Sequence, residues 1–146
     1  MNFEIVSKSL HLDIYGFGAI AANKNYTATA FRLSGKMWEI VKSNNLKNKG
    51  LNIWVYDTGD SVFAGVELEN PSDGNKYGLE EKKISLDKYA YYKHIGPYNF
   101  IKQAGQNMIG ELNKQGFEII LPHIEIYGHW TPDETKSETE LLMCLK

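Results

Sequence analysis

The chain has 146 residues, 42% hydrophobic and 23% charged, enough apolar material for the core of one domain or of two small halves sharing one. Its 16 lysines and arginines against 18 aspartates and glutamates leave a net charge of −2, without the basic surplus of a nucleic-acid surface, so no direct nucleic-acid binding is expected. The one cysteine, Cys144, excludes an intrachain disulfide and reads as a buried small hydrophobe. No signal peptide opens the chain and no apolar run approaches a membrane span, so a cytoplasmic protein without membrane association is expected.

In chain order, "FEIVSKSLHLDIYGF" reads as a strand that breaks at Gly16 and Gly18, followed by a polar stretch around Asn23 to Asn25. A helix follows, because Ala30, Leu33, Met37 and Val41 share one face, with Ser34 and Trp38 beside them and Arg32, Lys36 and Glu39 outside. The Asn/Lys-rich stretch from Ser43 to Gly50 ends it. Two strands come next, Leu51 to Asp57 and Ser61 to Leu68, the second alternating Val62, Ala64, Val66 and Leu68. "ENPSDGNKYG", residues 69–78, has the composition of a connecting loop.

Beyond that loop the order repeats. "KKISLDKYAYYKHIG" is a strand with Ile84 and Leu86 alternating, ended by Gly96-Pro97. Ile101, Ala104, Met108 and Leu112 make a second amphipathic helix, closed by Gly116. The strand "HIEIYGHW" follows Pro122, and after a polar loop from Thr131 to Ser137 the last strand runs from Glu138 to Lys146. Its continuous apolar run Leu141 to Leu145 suits a strand covered on both faces.

Stacking "LNIWVYDTG" on "PHIEIYGHW" aligns Ile53 with Ile124, Trp54 with Glu125, Val55 with Ile126 and Tyr56 with Tyr127. The same offset of 71 positions aligns Met37 with Met108 and Val41 with Leu112. Neither β-α-β-β unit can cover both sides of its own sheet. The expectation is therefore one α+β domain over residues 1–146, built from pseudo-repeats 1–70 and 79–146. Eight strands would form one antiparallel sheet carrying two helices.

Period-two alternation in "HIEIYGHW" puts Ile124 and Ile126 on one face and Glu125 and Tyr127 on the other. That second face either meets water or lines a pocket. With Trp54 at the repeat-related position, a pocket would hold one carboxylate and one indole on related walls. Trp54 and Tyr56 also fit a cross-strand aromatic pair that only stabilises the sheet. Trp38, Tyr15, Phe17, Tyr91 and Tyr127 fit core or pocket, while Met37 and Met108 fit core best. A buried carboxylate without a partner shifts its pKa upward, and a cationic ligand held by aromatic faces would supply the missing partner. His94, His123 and His129 lack the spacing and acidic company of a metal site, and Gly16 and Gly18 open no nucleotide fingerprint, so no metal or cofactor is expected.

"YAYYKHIGPYNFIKQAGQNMIGELNKQGFEI", with His94, Gly96, Pro97 and Tyr98 before a helix, and "LPHIEIYGHWTP" make the chain resemble the GyrI-like small-molecule-binding domain. That domain is the effector-binding half of AraC-type and MerR-type regulators. The resemblance implies a cleft between pseudo-symmetric halves, lined by aromatics, with an acidic residue where Glu125 stands and lipophilic cations as ligands. No helix-turn-helix flanks the domain, so the expected relative is a stand-alone member, of a kind carried on mobile gene cassettes, without a direct transcriptional role. Two other functions stay open beside binding. One is hydrolysis of reactive electrophiles, with Glu125 as general base and Tyr127 or Tyr91 as proton donor; the other is a gyrase-inhibitor-like protein-interaction module. A homodimer or a separate regulatory protein stands as the expectation for macromolecular partners.

Overall fold

A computed structural model describes residues 2–146. The strands are β1 (Glu4–Val6), β2 (Leu10–Ile20), β3 (Asn52–Asp57), β4 (Ser61–Val66), β5 (Glu80–Leu86), β6 (Tyr89–Ile95), β7 (Ile119–Tyr127) and β8 (Glu138–Leu145). The helices are α1 (Tyr26–Ser43), α2 (Ser72–Lys76) and α3 (Ile101–Lys114). Among the described residues the eight strands form one antiparallel sheet in the order β1-β6-β8-β7-β3-β4-β2-β5. Exchanging β1 to β4 for β5 to β8 returns the same order read backwards. The axis of that exchange falls between β3 and β7.

Two short links shape the sheet. β5 and β6 are separated in sequence by Asp87 and Lys88 alone, yet six strand spacings lie between them, roughly 29 Å in a flat sheet. Two residues span only about 10 Å. The Ser7–Ser9 link between β1 and β2 crosses the same number of strands. The sheet must therefore curl until its two ends meet. The inner face of that curl is a cluster of strand residues, including Ile14, Ile53 and Ile124 at no more than 1% exposure, with neither long helix packed against it. Cys144 is buried there.

Both long helices lie on the other face, one over each half. α1 buries Ala30, Leu33, Met37 and Val41 against β2, β3 and β4, and α3 buries Ile101, Ala104, Met108 and Leu112 against β6 and β8. Met37 and Met108, 71 positions apart, are each fully enclosed. Gly116 closes α3 at φ +83°, where an L side chain is strained, while the Phe117 amide donates to the Leu112 carbonyl at 3.0 Å.

Three expectations need correction. Each unit's opening segment forms two strands instead of one, because its first piece pairs in the opposite half of the sheet: β1 with β6, and β5 with β2. Gly16 and Gly18 lie inside β2 and do not break it. A Cβ on Gly16 would sit 1.8 Å from the Ala64 carbonyl oxygen, so close strand approach accounts for that glycine. The loop over 69–78 contains α2, which gives three α-helices among the described residues where two were expected.

Candidate functional site

The axis between the halves passes through one cross-strand pair, Trp54 of β3 opposite Glu125 of β7. A row of side chains extends from it across six strands: Phe17, Ala64, Trp54, Glu125, Leu141 and Tyr92. Antiparallel pairing also fixes the neighbours on the helix-bearing face, setting Tyr56 opposite His123 and Asn52 opposite Tyr127. Glu125 thus has the Trp54 ring opposite it, Tyr56 and Asn52 on its two β3 diagonals, and Tyr127 two residues along its own strand.

The Tyr56 hydroxyl donates to Glu125 Oε1 at 2.6 Å, and the Tyr127 hydroxyl reaches the same oxygen at 3.3 Å. Trp54, 7% exposed, packs on the Tyr127 ring with centroids 4.6 Å apart. Tyr26 meets Tyr56 edge-on at 6.2 Å, and Tyr98 meets Tyr127 edge-on at 5.6 Å. Burial pushes the half-buried Glu125 carboxyl above its ordinary pKa, and the two donated hydroxyl bonds pull it part of the way back. Burial and the Glu125 charge together hold the Tyr56 and Tyr127 protons firmly. The described ion pairs join Lys49 to Glu67, Lys93 to Glu138 and Lys146 to Glu118, so among the described residues no basic side chain pairs with Glu125.

Other polar atoms nearby also lack partners. The Trp54 indole nitrogen and Asn52 Oδ1 are buried without a hydrogen bond, as is Oγ1 of Thr139, the residue opposite Tyr127 on β8. Asn52 uses its amide nitrogen to reach Ser34 of α1 at 2.8 Å. His123, on the Glu125 face of β7, has its pKa lowered by burial.

Of the site residues expected from sequence, the structure gathers Glu125, Trp54 and Tyr127. Phe17 lies in the same row two strands from Trp54, under Lys36, whose ammonium sits 4.1 Å from the ring centroid. Trp38 is half-buried on α1 against the core of the first half. Tyr15 faces the helix side near the far edge of the sheet, where its hydroxyl donates to Glu81 at 2.5 Å and its ring fills the space a side chain at Gly74 would need. Tyr91 is on the opposite face, packed in the inner curl and donating to Glu140 at 2.6 Å, so it does not reach Glu125. Sequence pattern offers Tyr56 only as a sheet aromatic, yet its hydroxyl is the nearer of the two that reach the carboxylate. Its repeat relation to Tyr127 was the available signal.

Among the described residues no three His, Cys, Asp or Glu side chains gather as a metal site. His94 instead hydrogen-bonds the Pro97 carbonyl at 3.1 Å, and the His129 ring fills the space beside Gly50. No described helix is long and apolar enough to cross a membrane.

A family model described as the GyrI-like small molecule binding domain matches residues 33–146. No curated protein matches the chain. Among solved structures, SAV2435 bound to tetraphenylphosphonium is 18% identical, with a TM-score of 0.66 over 100% of this chain and 94% of that one. The EcmrR C-terminal domain is 15% identical, with a TM-score of 0.70 over 100% and 99% of the two chains. A hydrolase from Listeria innocua is 11% identical, with a TM-score of 0.54 over 99% and 91%. At these identities the likeness is one of fold.

Proposed function

From the premise that this chain belongs to the family of GyrI-like small molecule binding domains, we propose that it binds hydrophobic organic cations between its two halves, at Glu125. One observation carries the reading. Glu125 is a half-buried carboxylate held by two tyrosine hydroxyls, and no basic side chain among the described residues balances its charge. A carboxylate drawn out of water in this way favours any cation that can reach it, and the Trp54 and Tyr127 rings add about 0.5–2 kcal/mol per cation–π contact. The rest of the affinity would come from apolar burial at roughly 25 cal/mol per Å², which is non-directional and tolerates many ligand shapes. SAV2435 was solved with tetraphenylphosphonium, a ligand of this class. Titration with tetraphenylphosphonium beside neutral triphenylphosphine oxide, in wild type and Glu125→Gln, tests the proposal. A preference for the cation that the variant loses supports it, and equal binding of both compounds by both proteins refutes it.

A second reading is hydrolysis. The fold likeness to a Listeria innocua hydrolase raises it, and the upward-shifted Glu125 suits a general base. Tyr56 and Tyr127 hold their protons too firmly to serve readily as acids, although they could steady a developing oxyanion. Binding therefore ranks first. Product formation from an activated ester, lost in Glu125→Gln, would reverse the ranking.

A further inference from the structure

The two strands flanking β7 leave part of it without partners. β3 pairs only with residues 123–127, and pairing with β8 skips from Ile119 to His123. Between that open stretch and the C-terminal end of α3 lies a groove of about 630 Å³, lined by Ile109, Asn113, Phe117, Ile119, Leu121 and His123 among others. Its size is that of a small-molecule site, and its walls are mainly hydrocarbon. Glu125, Trp54, Tyr56 and Tyr127 do not line it, and its link to the candidate cation site is His123. His123 lines the groove, stands opposite Tyr56, and precedes Glu125 by two residues on the same strand face, a rise of roughly 7 Å.

We propose that this groove receives the hydrocarbon tail of a cationic amphiphile whose charged head sits at Glu125. This rests on the cation-binding reading above and narrows its ligand class to alkyl-chain ammonium compounds. Charge fixes the direction in which such a molecule lies. At the far end, the Lys88 ammonium stands 5.2 Å from the Phe117 ring centroid and repels a cation. Glu118 also lines the groove, but it is exposed and already pairs with Lys146 at 3.8 Å. Among the described residues Glu125 has no such basic partner.

Calorimetric titration with tetramethylammonium and with octyl-, decyl- and dodecyl-trimethylammonium, each below its micelle concentration, reads the proposal directly. Affinity should rise about two- to fourfold per added methylene, the increment expected when each is largely buried. Ile120→Asn combined with Leu121→Asn, two exposed wall positions, should flatten that rise and leave tetraphenylphosphonium binding intact. Glu125→Gln should lower affinity for the whole series by a common factor and keep the slope. Independently of any variant, a dodecyl cation with a terminal diazirine should label residues between Ile109 and Leu121. Wild type that binds tetraphenylphosphonium without chain-length dependence overturns the groove assignment and leaves the cation site standing. A slope that survives while Glu118→Gln, and not Glu125→Gln, weakens binding places the head at the wrong end and also overturns it. Failure to bind any cation removes both readings together.

Discussion

The two halves of this molecule share a scaffold and differ where they meet. Met37 and Met108 fill the same place under their helices, and Tyr56 and Tyr127 occupy matching positions on the two central strands. Between them the match fails, with Trp54 on one side and Glu125 on the other. A symmetric pair would not serve as well. Two carboxylates facing each other across antiparallel strands, roughly 5 Å apart at Cβ, would repel and drive one another toward the protonated form. Two indoles would fill the space without charge. One of each leaves a single negative charge beside an aromatic face, which the repeat alone could not have produced.

The scaffold side of this comparison carries the largest effects. Met37→Ala and Met108→Ala each remove a fully enclosed side chain, and each should cost about 2–5 kcal/mol. Urea denaturation measures both. Costs agreeing to within about 1 kcal/mol fit equivalent cores, whereas one costly and one near-neutral variant would mean that the halves share topology without sharing packing.

The two long helices were legible because their evidence is local: the Met37 and Met108 stripes recur at helical spacing within a few turns. The buried run Leu141 to Leu145 was legible for the same reason. What the sequence hid depends on distant partners. Nothing near Ser7 or Asp87 says that the strands on either side pair in opposite halves, because the partners are far away in the chain. Gly16 looked like a breaker, since the carbonyl that crowds it belongs to Ala64. At the candidate site, the proximity of Glu125, Trp54 and Tyr127 was legible through alternation and the repeat. Tyr91 was grouped with them because an aromatic strand residue declares no face until register is known, and its pairing with Leu142 sets it in the inner curl.

On the chemical side, Glu125→Gln should lower affinity for tetraphenylphosphonium at least tenfold, about 1.4 kcal/mol, while triphenylphosphine oxide is bound as before. Stability should move the other way. The folded pKa of Glu125 lies above its unfolded value, so its contribution is fully present below the ordinary carboxylate range and is lost as pH rises through the folded pKa. At neutral pH the uncharged amide escapes that loss, and the variant should melt no lower than wild type. A variant that melts well below wild type would identify Glu125 as a structural anchor.

The comparison sharpens further if the two residues are exchanged. Trp54→Glu with Glu125→Trp moves the carboxylate across the axis, where Tyr127 lies on its diagonal as Tyr56 lies on that of Glu125. Cation affinity within about tenfold of wild type would show that the site needs one charge and one indole in either order. Affinity as low as that of Glu125→Gln would show instead that surroundings peculiar to the second half, such as Tyr98 against Tyr127, fix the orientation.

The smallest effect separates the two tyrosines. On the proposed reading a cation binds the ionised form of Glu125, so wild-type affinity should fall as pH drops through its raised pKa and level off above it. Both hydroxyls donate to Oε1, the Tyr56 bond at 2.6 Å and the Tyr127 bond at 3.3 Å, and each favours the charged carboxylate. Removing the shorter bond should cost the charged form more. Tyr56→Phe is expected to move the midpoint of the pH profile upward by about one unit, the size of one charge-assisted hydrogen bond, and Tyr127→Phe by less. Equal shifts would make the hydroxyls interchangeable and the halves alike even in their second layer of chemistry. A larger shift for Tyr127→Phe would mean that the longer of the two hydroxyl bonds does more than the shorter to hold the carboxylate charged.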